Sequence, residues 1–280
     1  MSETPPAILS PPKPAKRTLN RWTLAIVVVG ILVVGVLFSL IYYSTAIVSS
    51  KTFSYTVPMG SAGSYSTLTV SDVDGLVTIQ PWSGSSILIN GTLTAKGLGS
   101  ALSTIAISNS SSNGNVVFRA MFPASAGILF SQTYSVAINV FVPSTVQFSS
   151  IQVSNVNGRA QLNSVNSTRV VATTVNGNVT VSCSYCVDTA LMSTNGNVTA
   201  TFSTLATQGS YNLTATNANV SFTAPTSSSF KLSATVLNGY IVCPLCSGST
   251  SQKQFTEKFN GGSATVNLDS TNGQITITGI

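Results

Sequence analysis

Hydrophobic and polar positions along the chain follow two rules. Residues 22–43, WTLAIVVVGILVVGVLFSLIYY, are uncharged and apolar on every face. That pattern predicts a helix surrounded by hydrocarbon, about twenty residues being the length needed to cross it. From residue 65 onward, apolar and polar residues instead alternate in short runs broken by a recurring pair: Asn157-Gly158, Asn176-Gly177, Asn195-Gly196, Asn217-Ala218, Asn238-Gly239 and Asn272-Gly273. The first four intervals are 19, 19, 22 and 21 residues. After each pair the second and fourth residues are apolar: Ala160 and Leu162, Val179 and Val181, Val198 and Ala200, Val220 and Phe222, Ile241 and Cys243, Ile275 and Ile277. A period of two is a strand, so these side chains share one face while Thr180, Thr199 and Ser221 point the other way.

A unit of about twenty residues cannot bury its own apolar face and must stack on a neighbour, which predicts a β-solenoid with inward columns about 4.8 Å apart. A series of β-hairpins is the competing arrangement for Asn-Gly between apolar alternations. Hairpins do not require identical turns, and near-identical turns at near-equal intervals favour coils. Glycine in each pair is expected to supply a positive φ. Aligned asparagines are expected to hydrogen-bond up the stack, as in other stacked strands.

The strings VSNVNGRAQL, TTVNGNVTV, STNGNVTATF and GGSATVNLDSTNGQITITG resemble the putative-adhesin β-helix domains of bacterial and archaeal membrane-linked proteins of unknown function. YSVAINVFVPSTVQFSSIQVS, with Pro143, resembles the strand-Pro-strand step leading into such repeats, and LTVSDVDGLVTIQ their opening strand pair. The resemblance covers residues 65–280. It implies a parallel β-helix or roll without an established catalytic centre. The expected organisation is a basic Pro-rich tail at 1–21, a transmembrane helix at 22–43, a linker at 44–64 and an exterior all-β solenoid at 65–280, most regular over about 150–245. Uneven spacing before Gly158, and the interval of 34 residues between Gly239 and Gly273, mark the ends where caps belong.

Charge sets the orientation of the span. Lys13, Lys16, Arg17 and Arg21 precede it and only Lys51 closely follows, so the positive-inside rule places the N-terminus in the cytoplasm and the repeats outside. Ser44-Thr45-Ala46 also offers a small-x-small signal-peptide cleavage site, but the apolar run exceeds the usual 7 to 15 residues, which favours a retained anchor. Pro11 and Pro14 have PxxP spacing, read here as part of a solvated spacer. Only 6% of the chain is charged, where roughly a quarter is usual. Such a surface is expected to tolerate acid and salt. The bases form no patch with interleaved aromatics, which argues against nucleic acid.

Two CxxC pairs, Cys183/Cys186 and Cys243/Cys246, raise the possibility of a four-cysteine zinc site. Their corners, at Gly177 and Gly239, lie three coils apart in sequence order, roughly 14 Å, which excludes one metal and any bond between the pairs. Outside the cell, the expectation is a local disulfide in each CxxC, with buried free thiols as the alternative. Sequons occur at Asn90, Asn109, Asn166, Asn178, Asn197, Asn212 and Asn219. Asn178, Asn197 and Asn219 share one outward repeat position, so glycans there would crowd one ridge and occupancy should be partial.

Catalysis has no visible carrier. There is no histidine, and of the exterior acids Asp72, Asp74, Asp188, Glu257 and Asp269 only the first two are near one another, beside Gly75, where they read as turn residues. No catalytic residue, cofactor or metal is therefore expected. The reading that emerges is a membrane-anchored cell-surface solenoid with a structural or adhesive role, its partners being the lipid bilayer and envelope glycans or another surface protein. A sensory or regulatory exterior domain is the alternative, and a glycan-active enzyme a weaker one.

Overall fold

The computed structural model describes residues 20–46, 48–58, 66–97, 102–123, 133–246 and 253–280. Most of the Pro-rich tail, including Pro11 and Pro14, lies outside them, as does the second part of the expected linker. Among the described residues one α-helix, α1 (Arg21–Ala46), is followed by sixteen strands, with a single 3-10 turn at Leu102–Thr104. In chain order these are β1 (Val48–Val57), β2 (Thr67–Ser71), β3 (Asp74–Trp82), β4 (Ile87–Lys96), β5 (Ala106–Ser112), β6 (Asn115–Met121), β7 (Thr133–Pro143) and β8 (Phe148–Asn155). They continue as β9 (Asn157–Thr174), β10 (Val179–Ser193), β11 (Val198–Phe202), β12 (Ser210–Ala215), β13 (Val220–Ala224), β14 (Phe230–Val242), β15 (Gln254–Phe259) and β16 (Ala264–Gly279). Residues 48–57, expected to be linker, thus form the strand β1, which pairs antiparallel with β4.

The rest is an all-β, solenoid-like stack. Each coil sends one strand into the Asn corner and one out of it, and the two build separate walls. Incoming segments pair in the order β6, β2, β8, then the later halves of β9 and β10, β12, and the first halves of β16 and β14. Outgoing segments pair in the order β7, β3, the first halves of β9 and β10, β11, β13, and the later halves of β16 and β14. All of these pairings are parallel; antiparallel ones, β1–β4, β4–β7, β5–β6 and β14–β15, occur only at the ends. Antiparallel strands therefore cap the stack, covering edges that would otherwise invite other chains.

Every inward residue anticipated after a corner is buried, from Ala160 and Leu162 to Ile275 and Ile277. Between the walls, aromatic rings follow one another, Phe202 tilted against Phe222 at 5.6 Å, Phe222 edge-on to Phe230 at 5.9 Å and Phe230 stacked on Phe259 at 4.6 Å. Tyr211 can join this interior because its hydroxyl donates to Cys186 O and accepts from Ala206 N, both at 2.8 Å. A buried phenol without such partners would be costly.

Two expectations fail. Corners do not all stack in sequence order: Gly273 lies against Ala218, and Gly239 against Gly273. The chain passes over one slot after β13, lays down β14 and β15, and returns to fill the gap with β16. The N-terminal end has a related irregularity, with β2 and β3 lying between β6/β7 and β8/β9. Second, among the repeat glycines aligned above none has a positive φ; Gly75, which heads their column, does, at 145°. The requirement at the repeat corners is space. A Cβ on Gly177 would fall inside the carbonyl oxygen of Gly158, and one on Gly196 inside that of Gly177. Ala218 fills this place in one coil, so the stack can make room for a single methyl there.

Candidate functional surface

Outside each corner runs a ladder of side-chain amides. Asn176 Nδ2 donates to Asn157 Oδ1 at 2.7 Å, Asn195 to Asn176 at 2.8 Å, and Asn217 to Asn195 at 2.8 Å. Asn272 then donates to Asn217 at 2.7 Å and Asn238 to Asn272 at 2.8 Å, which follows spatial order rather than sequence order. A second ladder lies two residues on. There Asn178 Oδ1 accepts from Asn197 N, Asn197 Oδ1 from Asn219 N, and Asn219 Oδ1 from Gln274 N, at 2.9, 3.1 and 2.8 Å. The three sequon asparagines therefore do form one ridge. Their oxygens are committed to the next coil's backbone, while no bond to their Nδ2 atoms is found.

The other sequons are scattered. Asn90 Oδ1 accepts from Ser54 Oγ on β1. Asn109 is exposed on β5. Asn166 has a buried side-chain oxygen without a partner. Asn212 donates to Ser210 Oγ and accepts from Asn267 Nδ2, extending a third amide contact across coils.

Cys183 and Cys186 lie at disulfide distance with Cα atoms 6.1 Å apart, and Cys243 and Cys246 with Cα atoms 5.3 Å apart. Because β16 intervenes, the corners preceding the two pairs are separated by four steps rather than three, about 19 Å. A shared zinc site is thus further from possible than sequence order implied. Among the described residues no group of three or more His, Cys, Asp or Glu side chains could hold a metal ion.

The acids are dispersed, and Asp72, at the turn between β2 and β3, faces inward. It is buried, its Oδ1 accepting from Val73 N at 2.8 Å. Burial pushes its carboxyl up to about 7, opposed by hydrogen bonds from the backbone of Val73 and Asp74 and reinforced by the charge of Asp74. Burial also raises the carboxyls of Asp74 and Asp269. Asp188 sits beside its register partner Arg169 in a shallow groove of about 280 Å³ that also takes in Ser210 and Asn212.

Sequence reasoning missed an inward polar column three residues before Gly75, Gly158, Gly177, Gly196 and Gly273: Asp72, Asn155, Thr174, Ser193 and Ser270, all buried; at Gly239 the same place is taken by Val236. Its members tie the corners together. Asn155 Nδ2 donates to Gly75 O at 3.0 Å, Ser193 Oγ to Gly177 O at 2.8 Å, Ser270 Oγ to Ala218 O at 3.0 Å, and Thr174 Oγ1 to Gly177 O. The signal was present in the aligned repeats as polar residues on the apolar phase of the alternation.

Stacked coils, uncharged amide ladders and a single apolar helix define a solenoid-like domain joined to a segment long enough to cross a bilayer. The chain belongs to the Toastrack DUF4097 family, whose model matches residues 45–278. Among solved structures it is similar to a "putative cell adhesion protein" from Clostridium sporogenes, at 11% identity and a TM-score of 0.49, covering 83% of this chain and 100% of that one. It is also similar to a "putative adhesin" from Bacteroides fragilis, at 12% identity and a TM-score of 0.31, covering 83% and 97%. No curated protein matches.

Proposed function

We propose that the protein is a single-pass, membrane-anchored surface protein whose exterior parallel β-helix is structural or adhesive and non-catalytic. The observation that carries this reading is the pair of amide ladders, held in register across the coils and presenting an uncharged, rigid, repeating surface. A surface of this kind presents fixed donors and acceptors at the strand spacing. It suits extended partners with many hydroxyl or amide groups, such as envelope glycans or the backbone of another surface protein.

The helix supports the anchor. Its segment Arg21–Tyr42 is strongly apolar and none of it is buried within the protein. At about 1.5 Å per residue its 26 residues reach beyond the roughly 30 Å of hydrocarbon. Oxidised CxxC pairs and glycans on the Asn178, Asn197 and Asn219 ridge fit an exterior location, with partial occupancy enforced by crowding. Intact mass with and without alkylation tests the first, four alkylated cysteines being the contrary result. A glycopeptide map tests the second, with full modification of all three as the contrary result.

Cells displaying the full chain test the adhesive reading against the sensory one. Deleting residues 1–20 should leave attachment to neighbouring cells or isolated envelopes intact, because an adhesin needs only its anchor. Attachment falling to the level of cells without the protein would overturn this.

A further inference from the structure

The inward polar column is fully engaged except at its first two members. Asp72 Oδ2 and Asn155 Oδ1 are both buried and both lack a hydrogen-bond partner. The two residues are 4% and 2% exposed, so bulk solvent does not reach them. They are neighbours across one coil step: Ser71 pairs with Ser154, and Asp72 N donates to Ser154 O at 2.9 Å. Asn155 cannot be turned to offer its amide hydrogens to Asp72 without abandoning Gly75 O, which its Nδ2 already holds. Two unpartnered acceptors one coil step apart in the buried interior are unfavourable by a few kcal/mol unless a hydrogen is supplied to them.

Each later polar member of the column donates to a corner carbonyl. An ionised carboxylate can only accept; a carboxylic acid has one hydrogen to give. We propose that Asp72 is held as the neutral acid and donates its Oδ2 proton to Asn155 Oδ1, making the first corner a latch that acid closes and alkali opens.

The surroundings agree with this assignment. Asp74, on the same corner, is the charged group that acts on Asp72, and its negative charge favours the neutral form. β8 carries no titratable side chain. Arg119 of β6 and Arg159 of β9 are exposed and stand at the register of Ser71 and Leu76, on the outer phase of the walls. No cation therefore compensates an ionised Asp72 from within. The latched coil, β2 with β3, lies between β6/β7 and β8/β9, so opening it loosens the joint between the N-terminal cap and the regular stack.

The test uses the full chain in detergent, labelled at the aspartate carboxyl carbons; the sequence has only four aspartates. The Asp72 signal should titrate near neutrality in the native protein. Replacing Asn155→Ala should move that titration down by at least about one unit, since the neutral form loses its acceptor. An Asp72 titration unchanged by Asn155→Ala would overturn the shared proton. A companion variant, Asp72→Asn, carries amide hydrogens at every pH. Its melting temperature should lose the wild-type decline between pH 5 and 8 and exceed wild type at pH 8. An equal decline in both proteins would also overturn the proposal.

Discussion

Between Asn157 and Phe222 the chain lays each coil on the one before, whereas at either end it abandons that order. In the middle, β9 to β13 touch partners about twenty residues away in sequence, and local stacking suffices. At the C-terminal end β16 enters a slot whose two sides, β12/β13 and β14, were placed earlier along the chain. A repeat array is quasi-one-dimensional, and its members are individually expendable. An inserted strand is not expendable, because it supplies the backbone pairing to both sides of its slot.

The largest expected effect follows from that difference. Excising residues 177–195, one whole repeat, should leave a shorter stack with a cooperative thermal transition by circular dichroism. Deleting residues 263–280 should abolish that transition and expose β12 to β14 to proteolysis. The reverse outcome would mean that the ends, not the middle, are expendable.

Next in size, Gly177→Val places a branched side chain against the Gly158 carbonyl and should destabilise by more than about 3 kcal/mol in urea unfolding. Gly262→Ala, in the turn between β15 and β16, meets a positive φ of 70° and the flexible side chain of Lys258 rather than backbone, and should lose about 1 kcal/mol. Comparable losses at both sites would show that backbone freedom, not coil contact, governs the repeat corners.

Acidity distinguishes the first coil from its neighbours. Because the native carboxyl of Asp72 titrates near 7 and an unfolded aspartate near 3.9, the native state holds the extra proton between those values. Stability is therefore highest below about pH 4, declines as pH rises to about 7, and is level above it, a change of a few kcal/mol at most. Hydrogen exchange should quicken over that interval in β2 and β8 while β10 and β11, which carry no buried acid, stay protected. The smallest effect separates interior from terminal rungs. Asn195→Ala removes two ladder bonds and should lose about 1 to 2 kcal/mol, and Asn238→Ala one bond and about half as much.

The apolar alternation, the corners and the ladder were all legible along the chain, because period-two burial and side chains repeated every coil are properties of short segments. Aligned repeats correctly assigned the inward residues and the ridge of Asn178, Asn197 and Asn219. They failed where distance mattered. Nothing in residues 264–279 distinguishes a last coil added at the end from one inserted before β14, since both would bury Val266, Leu268, Ile275 and Ile277. Corner glycines announced a turn, but only the approach of the next carbonyl showed that they keep space rather than bend the chain. Asp72 looked like any turn aspartate until the fold placed Asn155, more than eighty residues later, at the neighbouring coil step. Sequence by itself thus determined which faces are dry, through the pairing of period and polarity. Tertiary structure decided the order of the coils and the state of the buried acid, because both depend on which distant segment occupies the neighbouring slot.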